Sequence, residues 1–408
     1  MFSPSGDLTT SFRKVPTVSS QVASSSRLPS LTGMRFVAAA MVFVFHGSLE
    51  FLFRTPEVGF LYMIATSTAG FVGVSFFFIL SGFVLTWSAR PGDTKGNFFR
   101  RRFAKILPNH VVTFVAAIVL LLVFRQAIDP ASAVANLFLL QSWVPNYDVL
   151  LSGNGVAWSL SVEALFYLSF PFLLVLINKI RPSRLWFYAG AAILAVLLVP
   201  LVAKAVLPST PVWPWGPASY AQIWFVYNFP VTRLFEFALG IILARIVMTG
   251  RWIGLGVKWG IALAVVGYVA SLFVPFLYAF VGATIIPLAL LIPAAAVADV
   301  KGRKTVFARS SMVWLGEVSF AFYLVHRLVL TYGHWAFGTE INAFGALGGK
   351  AWSAPVALAF LVAAFAVSLL IAWALFAWVE TPFMRRFGRT KVKPLQTSPQ
   401  EDVVGAVR

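Results

Sequence analysis

The chain has 408 residues, of which 59% are hydrophobic and 11% charged; it has no cysteine and a net charge of +18. Soluble domains are about 25% charged, so this composition, with a mean hydropathy of +0.84, excludes a soluble globular protein and indicates an integral membrane protein. Without Cys there are no disulfides, thiolate metal sites or Cys nucleophiles, and four scattered His residues give no zinc spacing, so no metal is expected.

In chain order, residues 1–30 are Ser- and Thr-rich and read as a disordered cytoplasmic tail, without the short apolar core of a signal peptide. Apolar spans are predicted at 31–52, 68–88, 109–127, 156–178, 185–207, 229–248, 255–273, 279–298, 312–335 and 354–379. Residues 388–408 read as a disordered basic tail, with no soluble catalytic domain expected after it. The fold class predicted is all-α: a polytopic membrane helix bundle of about ten transmembrane helices with both termini cytoplasmic. The Lys and Arg distribution supports that count. Of the 32, 25 fall in segments assigned to the inner side, four (Arg54, Arg125, Lys204, Lys350) outside, and three (Arg35, Arg233, Arg327) within spans. Basic residues placed in short loops are topology signals and not a nucleic-acid footprint, so no nucleic-acid partner is expected. The cell (plasma) membrane is the expected location, with the lipid bilayer as a partner.

Span 1 carries Arg35 and His46. Eleven residues are close to three helical turns, so the two side chains share a face about 16 Å apart along the axis. Ionisable residues inside spans are costly and mark function. From the rise per residue, His46, Glu163, Arg233, Glu236 and His326, with Arg327 beside it, are expected at one depth in the outer half, as one polar cluster. A neutral imidazole with a carboxylate neighbour is a general base near neutral pH, so Glu163 is expected to orient His46. Arg233, Arg327 or His326 would then stabilise an oxyanion. The basic run Asn97–Pro108 is expected to be a cytoplasmic loop whose cations, with Arg35, suit either anionic lipid or a phosphate-rich cofactor such as coenzyme A. Outer loops at 128–155 and 208–228 are rich in Trp, Tyr, Pro and Gly, which fits either interfacial anchoring or a lid over a pocket.

Several of these stretches resemble, in order, the family-three integral-membrane acyltransferases of bacteria. They are Arg35 and His46 after Leu31-Thr32-Gly33-Met34, Gly73 to Phe83, the basic run ending Lys105-Ile106-Leu107-Pro108, Trp158 to Glu163, Arg233 to Gly240, Gly316 to His326, and Glu380-Thr381-Pro382. The resemblance covers 31–387, the expected acyltransferase domain. It implies transfer of an acyl group, usually acetyl, from acyl-CoA (acetyl-CoA) to a hydroxyl of a glycan, cell-envelope polymer, lipid or metabolite such as a macrolide. It also implies that Arg35 and His46 are essential and that the basic run engages the donor. Lys105 stands where many members have Arg, and Ser75 where many have Asp. The expected catalytic set is Arg35, His46, Glu163, Arg233, Glu236 and His326; the expected donor-binding set is Arg35, Ser81, Arg101, Arg102 and Lys105. The rival reading is a proton-coupled transporter or exporter, weakened by the lack of an internal repeat.

Overall fold

The structure, a computed structural model, describes residues 27–89, 93–214, 216–341 and 347–388. Ten long helices among the described residues correspond to the ten expected spans. They are α1 (Pro29–Ser48), α2 (Ala69–Trp87), α3 (Lys95–Val123), α4 (Trp158–Asn178), α5 (Leu185–Val206), α6 (Pro230–Met248), α7 (Val257–Ser271), α8 (Ile285–Val300), α9 (Ser310–Trp335) and α10 (Ala354–Leu375). Among the described residues, seven helical stretches are long and apolar enough to cross a membrane, and α7 and α8 are apolar but shorter. The chain is a polytopic helical membrane protein. A two-stranded hairpin, β1 (Thr339–Ile341) with β2 (Leu347–Gly349), follows α9. The end of the bundle carrying Arg35, Arg102 and Lys105 is its basic end; the opposite end is the far end.

The centre is built from α1, α2, α6 and α9, with α10 on α9, α7 on α8 and α5 on α6. Small residues set the closest approaches, as membrane helices require. A Cβ on Gly82 of α2 would collide with the Phe237 carbonyl of α6, and one on Gly240 of α6 with the Ile79 carbonyl of α2. This reciprocal pair holds α2 and α6 backbone to backbone.

Three local results differ from the sequence expectation. First, α1 begins at Pro29 and Ser30 is fully buried, so residues 27–30 belong to the folded body; 1–26 and 389–408, the bulk of the two expected tails, lie outside the described residues. Asp299 of α8 accepts from Ser30 N (2.9 Å) and Ser30 Oγ (2.5 Å), and a carboxylate there complements the helix dipole. Second, the expected basic loop is helical. Thr94 caps α3 by accepting from Asn97 N (3.2 Å), so Arg100, Arg101, Arg102 and Lys105 ride on the first turns of α3. Third, the chain before α4 turns into the bundle. Gly155–Ala157 forms a 3-10 turn, and buried Asn154 donates through Nδ2 to the Leu324 carbonyl of α9 (2.8 Å). Helix α4 therefore starts level with Leu324 and not at the membrane surface.

The α2–α6 contact is open to test. Gly82→Val is expected to lower the melting temperature of detergent-purified protein by about 5 °C or more, since overpacking costs about 1–3 kcal/mol. Gly96→Ala, with open space around its position, is expected to leave the melt unchanged. A Gly82→Val melt equal to that of the parent chain would contradict the packing.

Candidate active site

His46 lies near the end of α1 and His326 in the middle of α9. His46 Nδ1 and His326 Nε2 are 2.8 Å apart, and His326 Nδ1 lies 3.2 Å from the Phe322 carbonyl. A carbonyl only accepts, so His326 Nδ1 carries the proton and its Nε2 is the acceptor. His46 Nδ1 must then be the donor, which leaves His46 Nε2 with a free lone pair. The pair is packed by Phe43, Phe45, Phe322 and Tyr323, whose ring centroids lie 5.2–6.3 Å from one or other imidazole.

A second group holds the His46 turn from the far end. Arg327 Nη1 donates to the His46 carbonyl (3.3 Å) and to Glu50 Oε1 (2.6 Å). Thr331 donates to the same oxygen (2.7 Å), and His334 Nδ1 lies 3.6 Å from Glu50 Oε2. Glu50 is buried. Sequence reasoning passed over it because it sits at the end of an apolar span. Its signal was present on α9, where Arg327, Thr331 and His334 fall at i, i+4 and i+7 on one face.

Toward the basic end lies a cavity of about 170 Å³. Arg35, Ser81, Arg102, Lys105, Glu163 and Tyr167 line it, with Phe77 and Tyr323 at the side nearer the histidines. Arg102 Nε is buried and has no hydrogen-bond partner among the described residues, which fits an anionic or carbonyl oxygen. Lys105 is ion-paired with Glu380, which also accepts from Asn109 Nδ2 (2.7 Å). Glu380 ends a π-turn after α10, and such turns are frequent at functional sites. Four of the five expected donor-binding residues thus share one cavity. Arg101 does not line it and is ion-paired with Asp93. The reason is helical: one residue is a turn of 100°, so Arg102 and Lys105 face the cavity together and Arg101 does not.

The single polar cluster expected at one depth is not formed. Glu163 does not orient His46: its Oε1 accepts from Tyr167 (2.6 Å) and its carboxylate lines the basic-end cavity, because α4 begins deep in the bundle. Tyr167 itself is an i+4 neighbour that the sequence displayed. The Arg233–Glu236 pair (2.9 Å) is also separate, and both side chains are only 1% exposed. Arg233 donates to Ser75 (3.1 Å) and lies over the rings of Phe78 (4.9 Å) and Tyr227 (5.3 Å). Neither residue lines a cavity or touches the histidine pair, so their geometry is that of an ion pair joining α6 to α2, in place of the catalytic placement expected. Of the expected set, the structure brings His46 to His326, and Arg35 to Glu163 across the cavity. Tyr323 links the two regions: it lines the cavity, its ring lies 5.7 Å from that of His326, and its hydroxyl is 2.8 Å from Ser159 Oγ.

At the far end, the loops 128–155 and 208–228 enclose a larger cavity of about 960 Å³ against α3 and α9. Of the two readings of these loops, the one with a pocket beneath them matches this arrangement.

Comparison with known proteins gives a consistent picture. The family-three acyltransferase model, described as an acyltransferase domain, matches residues 28–377. Acyltransferase MdmB of Streptomyces mycarofaciens is 40% identical over 378 residues, covering 91% of this chain and 95% of that protein. Peptidoglycan O-acetyltransferase OatA of Listeria monocytogenes is 27% identical over 176 residues, 39% of this chain and 26% of that protein. O-acetyltransferase OatA of Staphylococcus aureus is 23% identical over 176 residues, with the same two shares, 39% and 26%. No solved structure matches the chain.

The sealed pair yields a double-variant test. Arg233→Met alone leaves a buried carboxylate unpaired and is expected to cost about 3–5 kcal/mol, with loss of folded protein. Arg233→Met with Glu236→Met is expected to recover most of that stability and to keep activity, read by thermal melt and turnover. A stable double variant with no turnover would return the pair to the chemistry.

Proposed function

This chain belongs to the family-three acyltransferases, and on that premise we propose that it moves an acyl group from acyl-CoA to a hydroxyl of a carbohydrate, cell-envelope glycan or secondary metabolite. The observation that carries the reading is the free lone pair on His46 Nε2, oriented by the bond to His326. In this reading the protein sits in the plasma membrane with its basic end in the cytoplasm. Arg35 and Arg102, with Lys105 balanced by Glu380, bind the anionic donor, and Ser81 and Tyr167 flank the slot that takes its thin acyl-bearing arm. The acyl end passes Phe77 and Tyr323 to reach His46.

The acceptor hydroxyl gives its proton to His46 Nε2 as its oxygen attacks the thioester carbonyl. Imidazolium charge is then shared through Nδ1–H with His326 Nε2. The carbon–oxygen bond forms, the tetrahedral intermediate collapses, the carbon–sulfur bond breaks, and His46 returns the proton to the departing thiolate. Arg327 is the cation held at the His46 turn, and its field favours the negative oxygen of the intermediate. Glu50 fixes that guanidinium in place.

The test uses detergent-purified protein with labelled acetyl-CoA and a panel of hydroxyl acceptors. His46→Ala is expected to lose transfer by about 10²–10⁴-fold or more, the scale of general-base catalysis, while its thermal melt is unchanged. Transfer near the parent rate in that variant would remove His46 from the reaction, and transfer from no acyl-CoA with any acceptor would remove the donor assignment.

A further inference from the structure

The two cavities have opposite charge. The basic-end cavity is lined by Arg35, Arg102 and Lys105 against Glu163 alone. The far-end cavity is lined by Asp129 and Asp148 and by no Lys or Arg, in a chain whose net charge is +18. Arg125 and Lys204, the basic residues closest in sequence to its two loops, do not line it. Its acidity is built in. Asp129 accepts from Ser132 Oγ (2.5 Å) and Ser132 N (2.8 Å), and the hydroxyl first, then the amide, holds its carboxyl below the usual carboxylate range. Asp148 is exposed and has no ion-pair partner among the described residues.

The same cavity is walled by three aromatic rings drawn from both loops. Tyr147 lies 4.6 Å from Trp213 and 5.2 Å from Tyr220, and Trp213 lies 4.9 Å from Tyr220, centroid to centroid. Local caps set these rings. Asn146 Oδ1 accepts from Asp148 N (2.8 Å), fixing the turn that carries Tyr147 and Asp148. Ser219 and Gln222 form a reciprocal capping box around Tyr220. Rings beside carboxylates suit a cation that also presents an apolar face, because the ring quadrupole and the carboxylate both attract it. The volume, about 960 Å³, is within the usual range for small-molecule sites. The cavity also leads to the histidines. Tyr332 of α9 lines it, Arg327 is close enough to act electrostatically on the Tyr332 hydroxyl, and Arg327 is bonded to the His46 carbonyl.

Resting on the acyltransferase reading, we propose that the far-end cavity is the acceptor site and that it selects a glycosidic acceptor bearing a protonated amine, held between the Tyr147–Trp213–Tyr220 rings and Asp148. Anionic acceptors are rejected by the two carboxylates. The donor and acceptor therefore enter from opposite ends, each matched in charge to its own cavity.

The experiment measures binding with no acyl donor present, by equilibrium dialysis of labelled methyl glycosides against the full chain in detergent. Methyl 2-deoxy-2-(dimethylamino)glucoside, whose tertiary amine cannot itself be acylated, is expected to bind about tenfold tighter than methyl glucoside. In Asp148→Asn the advantage is expected to fall to about threefold or less, and Trp213→Ala is expected to weaken both glycosides. Equal binding of the two, tighter binding of methyl glucuronide, an undiminished advantage in Asp148→Asn, or no measurable binding of any would overturn the proposal. Because no transfer is measured, binding as expected from a protein that transfers nothing would sink the acyltransferase reading and leave this one standing; the reverse outcome would do the opposite.

Discussion

One hydrogen bond, from His46 to His326, decides what this membrane bundle is able to do. It joins α1 to α9 and assigns the protons, because the Phe322 carbonyl on the far side of His326 accepts only. The bond requires two helices from opposite ends of the sequence to stay in register. That register is held at both ends of α1: Asp299 caps its start, and Glu50, just past its end, grips Arg327 and Thr331 of α9. Between them α9 lies so close that a Cβ on Gly316 would collide with the Thr32 carbonyl. A base inside lipid has no bulk water to correct its orientation, so its neighbours must set it beforehand.

The remaining charges are segregated around that bond. A basic cavity with Arg35 and Arg102 lies on one side, and an acidic aromatic cavity under the long loops lies on the other. Arg233 and Glu236 cancel one another within the packing of α6 on α2. Buried charges are retained only where a partner or a ligand compensates them. Here one pair is self-compensated, Lys105 and Arg327 have carboxylate partners, and Arg102 keeps an unpartnered buried nitrogen in the donor cavity.

The helices and the Arg35–His46 face were legible because apolar length and the 3.6-residue period are properties of each segment alone. The meeting of His46 with His326 was only partly legible: topology put them at similar heights, and nothing in the sequence named them as partners. Glu163 was misplaced for a definite reason. Depth was counted from an assumed surface start for α4, whereas buried Asn154 draws the preceding turn down to Leu324. Arg101 was grouped with Arg102 because a loop has no faces; once Thr94 caps a helix there, adjacent residues diverge. Glu50 and Asp299 were missed because each sits at the edge of an apolar helix, where an acidic residue is ordinarily taken as a mark of the boundary.

The central claim concerns one proton, and nitrogen-15 NMR of histidine-labelled protein in nanodiscs reads it directly. The chain has only four His, so each imidazole can be assigned by a single His→Gln exchange. At neutral pH the account predicts that His46 carries its proton on Nδ1 and has a bare Nε2, and that His326 does the same. A spectrum showing His46 protonated at Nε2, or at both nitrogens, would contradict it.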